Sequence, residues 1–338
     1  MNRRDDSSAL AMSPQRPLRL ATRGSPLALA QAQQVLSRCR TVFPHLTFEI
    51  RIIKTTGDRL QHAAMPQAPG PLPKGLFTKE IEAALLRNEA DLAVHSLKDL
   101  PTEIPSSLAL AAVLEREDAR DVLVCRLEHA ARVGSAPTPA CALDILASET
   151  TIATGSPRRR EQLLALRPDL RVVAIRGNLN TRLDKLARDP LLAATLLAAA
   201  GLHRLGYRLQ PNGSIQGPPD RPVPPGLAAA FLPIELMIPC VGQAAIGIEV
   251  RADDQAAQAL CRRINHPPTL ACVTAERAFL RGMGGGCLSP VAAYAEVASG
   301  VLKLRGVSFR GRAAAHATLT GPVNAPEALG RKLASELM

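Results

Sequence analysis

The chain has 338 residues, 46% of them hydrophobic and 21% charged, with 41 Lys+Arg against 30 Asp+Glu and a formal net charge of +11. That composition supports globular cores in two or three domains and excludes wholesale disorder. Only six Phe, two Tyr and no Trp are present, which argues against an aromatic platform for single-stranded nucleic acid; no apolar run reaches the ~18 residues of a membrane span.

Residues 1–17 lack an apolar stretch and read as a disordered tail with no signal peptide. Leu18–Ala21 is a short apolar strand. Ser25 supplies a helix N-cap and Pro26 a first helical residue, for a helix to about Arg40. Thr47–Lys54 alternates apolar and polar residues and predicts a strand. Thr55–Gly75 has no period and reads as a long, lid-like loop. Thr78–Asn88 predicts an amphipathic helix, and Asp91–His95 and Leu108–Leu114 predict strands. The charge-dense crossing Glu115–Asp121 is a candidate hinge.

Beyond it, strands are expected at Val122–Cys125, Thr151–Thr154 and Arg171–Ile175, with helices at Pro157–Leu166 and Leu179–Arg188. Arg132–Ala140 reads as a loop. Gln210–Gly226, rich in Pro and Gly, reads as an exposed loop. Ala245–Val250 is a strand, followed by helices near Asp253–Asn265 and Thr269–Arg281. A Gly-rich turn, Met283–Cys287, precedes an antiparallel pair, Val291–Val297 and Leu302–Ser308, and a last helix near Pro326–Leu337. Alternating strands and helices imply α/β domains with an α+β tail.

The cations are 34 Arg and 7 Lys. Compositional drift explains part of that excess, but three strand-to-helix junctions concentrate Arg: Thr22–Pro26 with Arg23, Thr154–Arg160 with Arg158 and Arg159, and Arg176–Arg182. A helix N-terminus carries partial positive charge, so Arg there costs roughly 0.3–1 kcal/mol unless an anion offsets it. Solvated surface Arg is the plain alternative. The dense Gly pattern of a phosphate loop is absent, and scattered Arg better suit several carboxylates.

His95-Ser96-Leu97-Lys98-Asp99 ends a strand, so Asp99 is either an ionised carboxylate poised to steady a cation or one partner of a strand-end salt bridge. Seven scattered Cys without CxxC spacing exclude a zinc site and fit a reducing compartment, hence the cytoplasm. Cys287 alone ends a Gly-rich turn, which favours access and reactivity, although a lone Cys is more often inert.

These motifs together resemble the hydroxymethylbilane synthase, or porphobilinogen deaminase, family. The resemblance runs from about Leu18 to the C-terminus. It is carried by Ala21-Thr22-Arg23-Gly24-Ser25-Pro26-Leu27-Ala28, Lys74-Gly75-Leu76-Phe77-Thr78-Lys79-Glu80, His95-Ser96-Leu97-Lys98-Asp99-Leu100-Pro101, Glu115-Arg116-Glu117-Asp118, Ser156-Pro157-Arg158-Arg159-Arg160, Arg176-Gly177-Asn178, Thr181-Arg182-Leu183 and Gly285-Gly286-Cys287. It implies two α/β lobes like those of type II periplasmic binding proteins plus a small α+β C-terminal domain. The implied limits are 18–114 with 243–264, 119–240, and 266–338.

It further implies a dipyrromethane cofactor in thioether linkage to Cys287, and a cleft in which four porphobilinogen units are deaminated and condensed head to tail, then released by water as hydroxymethylbilane. By motif match Asp99 stabilises the cationic intermediate. Arg23, Arg158, Arg159, Arg176 and Arg182 hold acetate and propionate groups, assisted by Ser25, Lys98, Thr154 and Ser156. Lys74, Gly75 and Phe77 border the lid-like loop, and Arg160 has no direct role. A monomer is implied, with porphobilinogen and polypyrrole intermediates as partners and neither nucleic acid nor membrane.

Three positions depart from the family pattern. Gly155 removes a hydroxyl beside the Arg run, Ala244 adds a methyl where Gly is usual, and Ala193-Ala194 replaces an acidic residue. The 210–226 loop is also enlarged, and the chain ends early at Met338. The rival readings are a non-catalytic two-lobed binding protein for an acidic small molecule and, from charge alone, a nucleic-acid binder.

Overall fold

The computed structural model describes residues 16–58, 75–129, 143–286, 289–311 and 313–338. Most of the expected tail, the interior of the 55–75 loop and the 132–140 loop lie outside the described residues.

In chain order the elements are β1 (Leu18–Arg23), α1 (Pro26–Val42), β2 (Phe48–Ile53), α2 (Lys79–Leu86), β3 (Leu92–Ser96) and β4 (Leu108–Val113). There follow β5 (Asp121–Arg126), β6 (Thr151–Ala153), α3 (Pro157–Leu166), β7 (Arg171–Val173), α4 (Leu179–Arg188), β8 (Ala194–Ala198) and α5 (Ala199–Arg204). Next come β9 (Arg208–Leu209), β10 (Ile215–Gln216), β11 (Leu227–Leu232), β12 (Ile246–Arg251), α6 (Gln255–Ile264) and α7 (Pro267–Gly282). The chain ends with β13 (Val291–Ala298), β14 (Val301–Ser308), β15 (Ala315–Pro322) and α8 (Pro326–Leu337). No helix among the described residues is long and apolar enough to cross a membrane.

Contacts divide the chain into two units. One runs to Arg116 and resumes at Ala245–Ala271; the other comprises Glu117–Ala244 and Cys272–Met338. The first holds a five-stranded sheet in the order β2-β1-β3-β12-β4, with β12 antiparallel to both neighbours. The second holds a sheet in the order β7-β6-β8-β5-β11, with β5 antiparallel to both neighbours. These are the same arrangement: each sheet has one reversed strand in its fourth place, supplied by chain that has crossed from the other unit. This repeated topology is that of the expected binding-protein-like lobes. A three-stranded antiparallel sheet, β13-β14-β15, packs with α7 and α8 as the small α+β element of the second unit.

Each sheet buries apolar side chains on both faces, as crossover helices require. Leu20, Leu92 and Ile248 meet Val35, Cys39 and Ile264 in the first core. Leu123, Ile152 and Leu196 meet Leu163 in the second. Helix starts follow local chemistry. Ser25 accepts a hydrogen bond from Ala28 N, Ser156 from Arg159 N and Asn178 from Thr181 N, and Pro26 and Pro157 occupy first-turn positions.

The segment expected as an exposed loop, Gln210–Gly226, is largely exposed or half-buried but is corrected at one point: it holds β10, which pairs antiparallel with β9 just before it. The reason is an Asn-Gly turn. Ser214 N and Oγ donate to Asn212 Oδ1 at 3.0 and 2.7 Å, and Gly213 takes φ +82°. Ala229 N then donates to Gly213 O at 2.7 Å, which stitches the ribbon to β11. The C-terminal sheet likewise has three strands where the pattern showed two.

Candidate active site

In the first unit, β1 and β3 are parallel neighbours, so the junctions that follow them open at one sheet edge. Ligands in α/β sheets gather at that carboxyl edge. A pocket there is lined by Arg23, Ser25, Phe77, His95, Ser96 and Asp99. Asp99 sits on a single 3-10 turn, Leu97–Asp99, directly after β3. Its side chain is half-buried and accepts no hydrogen bond from a described residue. Lys98 stands beside it, also half-buried. The strand-end salt bridge that rivalled the catalytic reading of Asp99 is not formed among the described residues.

Arg23 projects from the end of β1. Its Nε and Nη2 donate to Asp58 Oδ1 at 3.1 and 2.5 Å, and its guanidinium lies 4.0 Å from the centre of the Phe77 ring. Burial pushes the Asp58 carboxyl up, but hydrogen bonds from Arg23 and Thr55 outweigh it and the net direction is down. Ser25 lines the same pocket while capping α1. Beneath it, Ser96 Oγ donates to buried Gln31 Oε1 at 2.8 Å, and His95 Nε2 lies 3.1 Å from the fully buried Glu249 carboxylate. Gly75 takes φ +74° at the turn before Phe77, a conformation that favours glycine. Lys74 lies outside the described residues.

In the second unit the structure brings Arg158 and Arg159 together, but on a carboxylate of the chain itself. Asp121, fully buried at the start of β5, receives Arg159 Nε and Nη2 on Oδ1 at 3.2 and 2.7 Å and Gln243 Nε2 at 2.9 Å. Arg158 Nη2 stands 2.7 Å from Oδ2 as an ion pair without an aligned hydrogen bond. Burial pushes the Asp121 carboxyl up; the two guanidiniums more than reverse this and hold it well below the usual carboxylate range. Arg158 Nη1 and Arg159 Nη1 donate to the carbonyls of Ile238 and Leu196, each at 2.8 Å. The sequence reading aimed these two side chains at ligand carboxylates; in the structure every nitrogen of Arg159 has a protein partner. The physical reason is distance along the chain: Asp121 lies 38 residues before Arg159, where no local pattern reveals it.

Thr154 is buried, and its Oγ1 accepts from Ser156 N at 3.2 Å, so the pair shapes the turn that starts α3. A Cβ at Gly155 would lie 2.9 Å from Ile175 O, too close for the usual serine without a shift. Arg176 is exposed at the mouth of α4, and Arg182 is half-buried one turn into it with Nε donating to Gly177 O at 2.9 Å. Arg160 is exposed and, among the described residues, forms an ion pair with its neighbour Glu161 at 3.7 Å.

Arg204 escaped the sequence reading. It is half-buried, its Nη2 donates to Ala244 O at 2.6 Å, and its buried Nε has no hydrogen-bond partner among the described residues. Burial brings it down to about 10, with Glu117 opposing. A lone Arg late in a short helix gives no sequence signal; only its burial marks it. Cys287 lies outside the described residues. On either side of it, Gly286 N donates to Ser289 Oγ at 3.2 Å, and Arg310 holds the Met283 carbonyl and reaches Ser289 Oγ.

Known proteins decide between an enzyme and a binding protein. Residues 18–259 match the family model described as porphobilinogen deaminase, dipyromethane cofactor binding domain, and residues 270–338 match the porphobilinogen deaminase C-terminal domain. The chain belongs to the porphobilinogen deaminase family. It is 41% identical to the porphobilinogen deaminase of Geobacter metallireducens, across 95% of this chain and 91% of that one. Identity is 42% to that of Pelobacter propionicus (96% and 94% covered) and 43% to that of Syntrophomonas wolfei (96% and 95%). The chain is accordingly a transferase of porphyrin biosynthesis that uses porphobilinogen and a dipyrromethane cofactor, a hydroxymethylbilane synthase by reaction.

Proposed function

We propose that Asp99 is the catalytic carboxylate of this reaction and that Cys287 carries the cofactor. The observation that supports the first assignment is the shared pocket: Asp99, with no donor among the described residues, lines the same cavity as Arg23, Ser25 and Phe77. A carboxylate placed there offsets the positive charge that develops on the porphobilinogen ring as ammonia departs. Arg23 and Ser25 hold an acidic side chain of the incoming pyrrole, and Lys98 adds positive charge at the same edge.

The second unit contributes cationic donors that fit a polycarboxylate. Arg158 Nε and Arg204 Nε are buried with no hydrogen-bond partner among the described residues, and Arg176 is exposed at a helix mouth. When bound, dipyrromethane would supply the nucleophilic pyrrole carbon to which the first unit is joined. Arg176 and Arg182 would hold its acetate and propionate groups, with Thr154 and Ser156 shaping the turn beneath them. Arg158 and Arg159 serve this site from a fixed position set by Asp121. The tail sheet and its helices, residues 266–338, form a third domain that presents Cys287. The enzyme works as a cytoplasmic monomer; the five described cysteines form no disulfide with one another, which supports a reducing compartment.

Two variants test this reading. Asp99→Asn should lower kcat at least a hundredfold with an unchanged far-UV CD spectrum; wild-type turnover would remove Asp99 from the chemistry. Intact-mass measurement should find a covalent dipyrromethane on the purified protein and none on Cys287→Ser. A bare-chain mass for the wild type, unmoved by porphobilinogen, would instead favour the two-lobed binding protein.

A further inference from the structure

The reading of Arg23 as a carboxylate-binding residue meets an obstacle that the structure itself supplies, because that guanidinium already holds a carboxylate. Asp58 Oδ1 takes Nε and Nη2 together, at 3.1 and 2.5 Å, and Nε also reaches Oδ2 at 3.4 Å. This two-pronged geometry is the one a ligand carboxylate would adopt on the same edge. Asp58 is held in turn by Thr55, whose Oγ1 donates to Oδ2 at 2.7 Å and accepts from Asp58 N at 3.2 Å. Phe77 covers one face of the guanidinium. The Phe77 ring also fills the space where Gly57 would carry a Cβ, and Gly57 N donates to Leu76 O at 3.0 Å. Thr56 N and Oγ1 donate to Glu80 Oε1 at 2.9 and 2.5 Å. The turn that bears Asp58 is therefore pinned to the segment that bears Phe77, and both converge on Arg23.

We propose that Asp58 is a resident competitor for Arg23: it holds the two-nitrogen edge and yields it to an acetate or propionate of the substrate. This rests on the reading of Arg23 given above. It predicts a site tuned for exchange. Neutralised Arg23 cannot hold a stray anion tightly, and a ligand gains only the difference between its own carboxylate and that of Asp58. The side chains of Arg23 and Asp58 are 16% and 24% exposed, so solvent reaches the pair and the exchange needs no opening of the core. Where a competing contact fills most of the population, apparent affinity falls by the fraction left open.

The test is a double-mutant cycle on the holoenzyme with porphobilinogen as the probe. Asp58→Asn keeps the size and the Thr55 contact but removes the charge, and should lower KM about fivefold, the scale of a part-exposed ion pair. Asp58→Ser, which shortens the side chain, should move KM the same way. Arg23→Gln should raise KM, and in that background Asp58→Asn should have no further effect. A raised KM in Asp58→Asn would overturn the proposal, because Asp58 would then be holding Arg23 in its working pose. An unchanged KM would overturn it too, since the ligand would then bind with the ion pair intact. If Arg23→Gln itself leaves KM unchanged, the underlying assignment of Arg23 fails, a result distinguishable from either outcome at Asp58.

Discussion

Replacing Asp121 with Asn removes the one negative charge that two buried guanidiniums share. Arg158, Arg159 and Asp121 have side chains 5%, 7% and 0% exposed, so water cannot take over as counter-charge. Asn retains an uncharged oxygen for Gln243 and for both Arg159 nitrogens, since all three donate to Oδ1. Its amide, however, would stand where Oδ2 now lies 2.7 Å from Arg158 Nη2, setting donor against donor. Hydrogen bonds to a charged group contribute about 1.5–3 kcal/mol against about 1 for neutral ones, so weakening two such pairs loses roughly 2–3 kcal/mol. The stranded cations bring the total to the ~3–5 kcal/mol typical of breaking a buried pair. With a urea slope of about 2–3 kcal/mol per M, the midpoint should fall by roughly 1–2 M at unchanged slope. Far-UV CD across a urea titration measures it. Asp118→Asn is the control: its pair with Arg120 is 20% and 37% exposed, and its loss should cost under about 1 kcal/mol. A loss at Asp121 no larger than that of the control would refute the view that this carboxylate fixes the two arginines.

Asp91 tests the first unit by pH. Burial raises its carboxyl, but hydrogen bonds from Arg16 and Arg19 prevail and hold it well below the usual value, so its stabilisation is present above an unfolded pKa of about 3.9 and fades as pH falls toward the folded value. Wild type should exceed Asp91→Asn in urea midpoint at pH 7, with the gap closing below pH 4; a gap independent of pH would contradict the assignment. Gly330 tests the C-terminal part of the second unit: a Cβ there would fall on the Ala275 carbonyl and crowd Ala278 across α7, so Gly330→Ala should destabilise by about 1–3 kcal/mol or more in thermal unfolding despite the better helix propensity of Ala.

What could be read from the sequence was local chemistry. Ser25, Ser156 and Asn178 mark helix starts because a cap acts over three residues, and β2 shows itself by alternation. β8, Ala194–Ala198, is buried at all positions but its last and shows no alternation, so it gives the signal of any apolar run. β11 is hidden by its Ala content, and β15 is an edge strand whose burial alternates only between exposed and half-buried. The site divides the same way. Asp99 and Arg23 were legible from motifs at strand ends. Asp121 and Asp58, which fix what the arginines do in the folded chain, meet them from 38 and 35 residues away. Ala244, a departure by sequence, is a residue at φ +69° by structure, held in that left-handed conformation while Arg204 grips its carbonyl.

The position of β12 constrains how the polypeptide can be made. Residues 246–251 lie between β3 and β4, which end at Ser96 and Val113, and pair with both. Throughout the synthesis of the intervening chain these two strands lack the neighbour that joins them. Every strand of the second sheet, by contrast, has been translated by Leu232. The later-encoded sheet can therefore close while the earlier one still waits with unpaired edges, the condition in which nascent chains are most open to wrong partners. Translation order alone thus lets the second sheet close before the first.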